Sequence, residues 1–239
     1  MYLSVVIPAF NEAARIAETI LDIDRYLKAQ NSAYEIIVVN DGSSDNTSDI
    51  VGRLAEHISA LRLIENPENK GKGKAVRQGL LEATGSLCLF TDADNSTRID
   101  QIAKLHPYLE EGYQVVIGSR AQKDAAITVK QPWYRVIIGK LGNKLVQVLA
   151  VPGIKDTQCG FKMFTRHAVE KIFSRMTIDG WGFDIEALAI ARRLKLPIKE
   201  VGIEWANHSE SFFKPGDYLR VMRELGVIWW NGLIRKYGN

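Results

Sequence analysis

Residues Leu87–Thr97 read Leu-Cys-Leu-Phe-Thr-Asp-Ala-Asp-Asn-Ser-Thr, so an apolar run ends in two carboxylates, Asp92 and Asp94. A short apolar run bounded by turn residues is typical of a strand buried in a parallel sheet. Ligands of open α/β sheets bind beyond the carboxyl ends of the strands, where both acids would lie. Carboxylate oxygens suit Mg²⁺ or Mn²⁺, with substrate phosphates completing the coordination shell. Because Asp, Asn, Ser and Thr also favour turns and helix caps, this stretch alone leaves a purely structural turn open.

Strands and helices alternate along the chain, which predicts an α/β fold with a mostly parallel central sheet flanked by helices. The predicted strands are Leu3–Pro8, Glu35–Asn40, Leu61–Glu65, Leu87–Thr91, Gln114–Ser119, Gly160–Thr165 and Ile198–Trp205. The predicted helices are Glu12–Gln30, a helix through Ile50, Val51 and Leu54, Gly73–Ala83, Ile99–Glu111, Trp133–Ala150, Phe183–Leu194 and Tyr218–Tyr237. No linker marks a clean domain boundary, so we expect one domain over residues 1–210 and a helical tail over 211–239.

The composition is that of an ordinary globular chain and argues against several classes of protein. The 239 residues are 46% hydrophobic and 25% charged, and the net charge of +3 is too small to indicate nucleic-acid binding. Cys88 and Cys159 offer neither a disulfide framework nor a metal-binding spacing, which fits a reducing compartment. No apolar run reaches the ~20 residues of a membrane span, and we expect no signal peptide.

Polar residues also follow the first two predicted strands. Pro8, Phe10, Asn11 and Glu12 end or follow the first strand, and Asp41 ends the second. Loops at the carboxyl ends of parallel strands meet at one rim of the sheet. A nucleotide needs a carboxylate or amide for its base, a flat apolar wall, and a metal or cations for its diphosphate. These loops therefore predict a nucleotide site.

Seven motifs taken together resemble a known family. Four of them resemble the inverting GT-A glycosyltransferases: Val6–Glu12, Val38–Asp45, Asn69–Ala75 and Thr91–Asp94. Three later motifs narrow the resemblance to the polyprenyl- or dolichyl-phosphate hexosyltransferases: Gly118–Arg120, Asp156–Lys162 and Trp181–Glu186. The resemblance implies a Rossmann-like GT-A fold over nearly the whole chain. It is closer to the glucosyltransferase version, because Ser96 stands where mannosyltransferases often place Gln.

The resemblance implies two groups of site residues. The first would bind the nucleoside, the metal and the diphosphate: Pro8, Phe10, Asn11, Glu12, Asp41, Lys72, Asp92 and Asp94, with Asp92 and Asp94 as ligands of Mg²⁺ or Mn²⁺. The second would face phosphates or line the acceptor site: Arg120, Arg135, Lys162, Asp184 and Glu186. The implied catalytic residues are Asp94, Arg120, Lys162, Asp184 and Glu186. Without the family, each Arg or Lys would be read as a solvated charge, and Asp184 and Glu186 as first-turn acids favoured by the helix dipole.

The implied reaction moves a hexose, glucose from UDP-glucose, to a dolichyl or polyprenyl phosphate. Residues 1–118 would form the nucleotide-sugar half of the domain and residues 119–210 the acceptor half. A mannosyltransferase that uses GDP-mannose, a soluble acceptor, and a non-catalytic nucleotide-sugar-binding subunit remain alternatives.

Two apolar helices predict an enzyme that lies on the cytoplasmic face of a membrane without spanning it. The helix Trp133–Ala150 is interrupted by Arg135, Lys140 and Lys144. The last helix carries Val227, Ile228, Trp229, Trp230, Leu233 and Ile234 beside Arg235 and Lys236. Aromatic and aliphatic residues flanked by cations are typical of helices at a membrane interface. Packing on the sheet, a homo-oligomer contact or a membrane partner subunit would use the same surfaces.

Overall fold

The computed structural model of the chain describes residues 2–129, 133–206 and 215–238. Its strands are β1 (Tyr2–Ala9), β2 (Ala33–Asp41), β3 (Leu61–Asn66), β4 (Leu87–Thr91), β5 (Val115–Ser119), β6 (Ala126–Val129), β7 (Phe161–Thr165), β8 (Ile198–Gly202) and β9 (Glu204–Ala206). Its helices are α1 (Ile16–Ala29), α2 (Thr47–Ala55), α3 (Lys72–Glu82), α4 (Ile102–Glu110), α5 (Trp133–Leu149), α6 (Arg166–Phe173), α7 (Phe183–Arg193) and α8 (Pro215–Leu233).

Seven of the described strands form one sheet in the order β3-β2-β1-β4-β7-β5-β8. All neighbouring pairs are parallel except those of β7, which runs antiparallel to both β4 and β5. The predicted mostly parallel sheet flanked by helices is therefore confirmed. The reversed strand matters for the site, because it pairs Phe161 with Thr91 and lets the Asp92 amide donate to the Gly160 carbonyl at 3.2 Å.

The central strands are buried on both faces, and their alternating side chains enter two apolar cores. Val6 and Phe90 point to the core beneath α3, α6, α7 and α8, whereas Val5 and Leu89 point to the core beneath α1 and α4. The helix α1 contributes a stripe of residues that are at most 3% exposed: Ile16, Ile20, Ile23 and Leu27. This 3.6-residue spacing is what makes the helix pack along one face.

The end of the predicted strand Ile198–Trp205 differs in the structure. Only β8 stays in the main sheet, and β9 leaves it to pair in parallel with β6 in a two-stranded ribbon. Gly202 lets the segment before β6 approach closely, because a Cβ there would lie 2.2 Å from Asp124 Oδ1 and 2.8 Å from the Ala125 amide nitrogen. The ribbon then reaches the carboxyl end of the sheet, where the Ala206 amide donates to the Ser96 carbonyl at 2.9 Å.

The helix α8 packs into the core beside α7 through Val221, Leu225 and Ile228, each at most 5% exposed. It begins at Pro215, three residues before the predicted start of the last helix. The predicted boundary between domain and tail falls within residues 207–214, outside the described residues. No described helix is both long enough and apolar enough to cross a membrane.

Candidate active site

The carboxyl ends of three neighbouring parallel strands bring the predicted donor residues to one edge of the sheet. Asp41 ends β2, Phe10 follows β1, and Asp92 follows β4, in the spatial order β2-β1-β4. Beside the end of β4 lies a cleft of about 320 Å³, whose wall includes Asp94 and Trp205 but not Phe10, Asp41 or Asp92. Open α/β sheets bind their ligands at such an edge.

The loop after β1 is fixed against the loop after β2. Asn11 adopts a left-handed backbone with φ 57°, which Asn tolerates better than most residues, and its side-chain oxygen accepts from the Ser44 amide at 2.8 Å. Pro8, two residues before Phe10, is buried within β1. The Phe10 side chain is 42% exposed and offers a flat apolar surface at the rim.

Asp41 organises the loop that leads into α3. Its buried carboxylate accepts from the amides of Gly71 at 2.8 Å and Lys70 at 3.1 Å, and from Asn66 Nδ2 at 3.3 Å. Gly71 needs its freedom, since its φ is +107° and a Cβ would lie 2.3 Å from the Asp179 carbonyl oxygen. The predicted contact of Asp41 with a nucleoside stays a prediction.

Lys72, the first residue of α3, lies directly against Asp92. Its Nζ is 2.6 Å from Asp92 Oδ1, 5.2 Å from the centre of the Trp181 ring and 5.7 Å from the centre of the Phe90 ring. Burial lowers the pKa of Lys72, but Asp92 and the neighbouring carboxylates raise the pKa by more, so the ammonium stays charged. The loop thus places a fixed positive charge beside the first acid of the Asp-x-Asp pair.

Asp94 has neither a cationic partner nor the several hydrogen-bond donors that surround the carboxylates of Asp41 and Glu186 in the described structure. Four carboxylates have a cationic partner: Glu12 with Arg15 at 2.7 Å, Asp92 with Lys72 at 2.6 Å, Asp156 with Arg120 at 2.8 Å and Asp184 with Lys162 at 2.6 Å. Within the described part of the chain, Asp94 has no ion-pair partner, and its Oδ1 accepts from the Ser96 amide at 3.0 Å. Burial raises the pKa of Glu12, and the charges of Asp94 and Asp92 raise it further against the opposing effect of Arg15.

Asp92 and Asp94 fit a divalent cation that also binds substrate phosphates. Among residues 2–129, 133–206 and 215–238, no group of three or more His, Cys, Asp and Glu side chains is arranged to hold a metal. Mg²⁺ often takes only one or two carboxylates and completes its shell with phosphates and water. Asp94 supplies an unpaired carboxylate on the cleft, and Gly160 leaves room for Asp92, because a Cβ there would lie 1.8 Å from Asp92 Oδ2.

Arg120 follows β5 and forms a two-point ion pair with Asp156. Its Nε and Nη2 each lie 2.8 Å from one of the two carboxylate oxygens. The guanidinium carbon, Cζ, lies 5.2 Å from the centre of the Trp205 ring. Burial raises the pKa of Asp156, but Arg120 outweighs it and holds that pKa below its usual range. Glu200 Oε1 fixes the same segment by accepting from the Asp156 amide at 2.8 Å. The predicted contact of Arg120 with a phosphate stays a prediction.

Lys162 is the second residue of β7 and is buried rather than solvated. Its Nζ is 2.6 Å from Asp184 Oδ1 and donates to the Cys159 carbonyl, and the two charged side chains are 1% and 8% exposed. Burial raises the pKa of Asp184, while Lys162 and Lys72 oppose that rise. The ammonium that we expected to face a phosphate is therefore committed to a buried pair at the start of α7.

Glu186, two residues after Asp184 on α7, is fully buried. Its carboxylate accepts from the Thr177 amide and hydroxyl, from the Ile178 amide at 2.8 Å and from the Tyr237 hydroxyl at 2.8 Å. These four donors come from the loop before α7 and from the C-terminal segment. The contacts give Glu186 a part in holding the two segments together, and its predicted place at the acceptor site remains untested.

Several residues around the site were not predicted to belong to it. Asp156, Gly160 and Trp181 lie within motifs that the sequence analysis singled out, but their partners are distant in sequence and could not be read from the residues. Trp205 was not predicted as a site residue, because the expected strand Ile198–Trp205 placed it in the main sheet and not in the two-stranded ribbon. The side chain of Arg135 lies outside the described part of the structure, so its predicted role stays a prediction.

A family model described as Glycosyl transferase family 2 matches residues 4–173. The match runs from β1 to the end of α6 and includes Asp41, Lys72, Asp92, Asp94 and Lys162. The chain belongs to glycosyl transferase family 2. The predictions of an enzyme and of a glycosyltransferase are thereby confirmed.

This glycosyltransferase is similar to curated proteins named dolichyl-phosphate beta-glucosyltransferase. It is 37% identical over 237 residues to one from Trichomonas vaginalis, which covers 94% of this chain and 72% of the relative. It is 37% identical over 241 residues to one from Drosophila melanogaster, covering 95% and 74% of the two chains. It is 34% identical over 226 residues to the one from Homo sapiens, covering 89% and 70%.

Solved structures resemble this glycosyltransferase in fold. A glucosyl-3-phosphoglycerate synthase from Mycobacterium tuberculosis, in complex with Mn²⁺, UDP-glucose and phosphoglyceric acid, superposes with a TM-score of 0.71 at 23% identity. The same synthase with Mg²⁺ and UDP gives 0.71 at 24% identity, and in both cases 97% of this chain and 79% of the other are covered. The likeness agrees with the predicted GT-A fold, which the seven-stranded sheet confirms.

Proposed function

We propose that this glycosyltransferase moves glucose from UDP-glucose to a dolichyl or polyprenyl phosphate with inversion at the anomeric carbon. The observation that carries the proposal is the likeness, over 89–95% of the chain, to proteins named for dolichyl-phosphate glucosylation. The site is compatible with it, because carboxylates suited to a metal–diphosphate group adjoin a region rich in cations. A sugar donor and a phosphate acceptor both need such charges.

The donor would occupy the edge formed by β2, β1 and β4. Phe10 and Asp41 would contact the nucleoside, with Glu12 beside it, and the diphosphate would lie near Asp92 and Asp94. A divalent cation held by these two acids would neutralise charge that develops on the departing diphosphate. Lys72, fixed 2.6 Å from Asp92, would add a second positive charge on the same side.

The acceptor requires no strong base, because a lipid phosphate is already an anion near neutral pH. One of its oxygens would attack the anomeric carbon on the face opposite the leaving group. The new carbon–oxygen bond forms as the bond to the nucleoside diphosphate breaks, and the electron pair of that bond leaves with the diphosphate. A single displacement inverts the configuration. The chain would contribute mainly orientation and fixed charges, which are large contributions to catalysis in general.

A transfer assay tests this function directly. The purified chain is incubated with dolichyl phosphate, Mg²⁺ or Mn²⁺, and either UDP-glucose or GDP-mannose, and the lipid product is analysed for the sugar and its configuration. We expect a β-linked glucosyl lipid from UDP-glucose, lost on chelation of the metal. A product only from GDP-mannose would favour the mannosyltransferase, and transfer only to a soluble saccharide or protein would refute the lipid acceptor.

We also propose that the enzyme docks on the cytoplasmic face of a membrane through α8. Four apolar side chains of this helix and the turn after it are between 44% and 58% exposed: Trp229, Trp230, Leu233 and Ile234. Arg235 and Lys236 follow them and are also exposed. Aromatic residues prefer the headgroup region, and nearby cations are attracted to anionic lipids. This surface would let the acceptor chain remain in lipid while its phosphate reaches the site.

Vesicle co-sedimentation tests the docking surface. We expect vesicles containing anionic lipid to bind the wild-type chain, and Trp229→Ser with Trp230→Ser to release it. Leu21→Ser is a matched control, since Leu21 on α1 is 42% exposed but lies outside this surface. A wild-type chain that stays in the supernatant at low salt would refute the proposal and favour a homo-oligomer or a membrane partner subunit.

A further inference from the structure

The C-terminal helix contacts the start of α7 through one carboxylate. Glu224, in the middle of α8, is 13% exposed, and its Oε2 accepts from the Gly182 amide at 2.7 Å. Gly182 is the residue that caps the N-terminus of α7. A carboxylate there satisfies a backbone donor that the helix leaves unpaired and interacts favourably with the helix dipole.

Close approach of Glu224 depends on two glycines. A Cβ on Gly180 would lie 2.1 Å from Glu224 Oε1, and a Cβ on Gly182 would lie 2.9 Å from Glu224 Oε2. Arg220, one turn earlier on α8, has its Nε 3.3 Å from Glu224 Oε1. The backbone at Gly180 and Gly182 therefore lies directly against this single side chain.

The opposite side of residues 179–182 lies against the loop that carries Lys72. The Lys74 amide donates to the Asp179 carbonyl at 3.2 Å. A Cβ on Gly73 would lie 2.8 Å from the Gly180 carbonyl oxygen, so the two backbones are in contact. Trp181, between Gly180 and Gly182, places its ring 5.2 Å from Lys72 Nζ.

We propose that Glu224 is a positioning residue, which fixes residues 179–182 and through them the donor-side Lys72. The reaction concerned is the glucosyl transfer proposed above, so the kinetic part of this inference rests on that function. Glu224 does not contact the reacting atoms. It makes α8 part of the catalytic framework, although α8 begins beyond the residues matched by the family model.

Hydrogen exchange tests the coupling without any substrate. In Glu224→Ala we expect the amides of residues 179–182 and 70–74 to exchange at least tenfold faster, while the Thr177 and Ile178 amides, which donate to Glu186, keep their protection. Glu170→Ala is the control, because Glu170 also forms an i,i+4 pair with an arginine, Arg166 on α6 at 3.0 Å, but is 59% exposed and lies on another helix. Faster exchange confined to Gly182, or equal effects in both variants, would overturn the proposal.

Kinetics give a second, separate readout. In Glu224→Ala we expect the KM for the nucleotide sugar to rise at least tenfold, with a smaller fall in kcat. Glu224→Gln retains an oxygen that can accept from Gly182 and should restore most of the donor affinity. An unchanged donor KM would overturn the proposal. A wild-type chain without glucosyl transfer would instead refute the proposed function, and the exchange experiment would still decide the coupling.

Gly180→Ala approaches the same contact from the other side and serves if Glu224→Ala does not fold. The added Cβ must displace the Glu224 carboxylate, so we expect this variant to reproduce the faster exchange at Lys70–Lys74. In a chain that also carries Glu224→Ala, the Cβ meets no carboxylate and should add little. Strictly additive effects of the two substitutions would mean that they act independently, which would overturn the proposal.

Discussion

Lys162→Met removes the ammonium from the buried pair with Asp184 and leaves a carboxylate without its charged partner. Lys162 is 1% exposed and Asp184 8%, and the two charged groups are 2.6 Å apart. Breaking one side of a buried pair costs about 3–5 kcal/mol, because the remaining charge stays desolvated. Domains of ordinary stability have only about 5–15 kcal/mol in total. We therefore expect a folded variant with a large loss in the free energy of unfolding.

Denaturant unfolding measures this loss, and a second variant separates its causes. Asp184→Asn in the Lys162→Met chain removes the unpaired charge while keeping the shape, so it should recover most of the lost free energy. Transfer should stay low in both variants, because neither restores the charges near the donor. A loss below about 1 kcal/mol in the single variant, the value typical of an exposed pair, would refute the buried pair described here.

The pH dependence of the same variant has a definite sign. Burial raises the pKa of Asp184, and loss of Lys162 removes the main effect that opposes this rise. A carboxyl group whose pKa is higher in the folded than in the unfolded chain stabilises the fold below the unfolded value, about 3.9, and loses that contribution as the pH rises through the folded value. The free energy of unfolding of Lys162→Met should therefore fall from pH 4 upward, by at most about 1.4 kcal/mol per pH unit, and more steeply than that of the wild type.

Three further substitutions test other parts of the site. Asp94→Ala should lower transfer about a hundredfold or more, as loss of one charge-stabilising group does elsewhere, with an unchanged melting temperature; wild-type turnover with metal present would rule out its metal role. Gly160→Ala should abolish transfer in the same assay, because its Cβ would lie 1.8 Å from Asp92 Oδ2. Gly52→Ala, where a Cβ meets nothing within 4 Å, is its control and should keep full activity. Arg120→Ala should cost about 3 kcal/mol in denaturant unfolding, since its carboxylate partner stays buried, and a merely solvated arginine would cost far less.

The central strands could be predicted because strands buried on both faces appear in the sequence as continuous apolar runs. The predicted strand Leu87–Thr91 has the bounds of β4, and Leu3–Pro8 lies one residue inside β1 at each end. Both strands have helices on each side of the sheet, so nearly every position is apolar. The acids at their ends could be predicted with them, since the end of the run also marks the edge of the sheet.

The direction of β7 and the helix after it could not be predicted in the same way. Gly160–Thr165 reads as a strand, but nothing local shows that it runs antiparallel between β4 and β5. The helix α6 starts directly after it, where the Thr165 hydroxyl accepts from the Ala168 amide at 3.2 Å. That cap and the apolar spacing of Val169, Ile172 and Phe173 were available signals. The helix was nevertheless not predicted, because it follows β7 without a loop to mark its start.

The charged residues show a different limit of sequence reasoning. Lys162 and Arg120 could be recognised from their motifs, but their ion-pair partners could not be identified, because those depend on contacts across the sheet. Both cations proved to be held by carboxylates, Asp184 and Asp156. A basic residue in a phosphate-binding motif therefore need not present a free charge, and its removal affects stability together with activity.

The pairing of charges also bears on where a metal would bind. Glu12, Asp92, Asp156 and Asp184 are each compensated by a neighbouring cation, whereas Asp94 has no such partner among the described residues. A donor diphosphate would bring further negative charge to this edge of the sheet. The fixed cations are already shared with carboxylates, so only part of their charge remains for the diphosphate. A divalent cation bound at Asp94, with Asp92 beside it, would supply the missing charge at the point where the leaving group needs it.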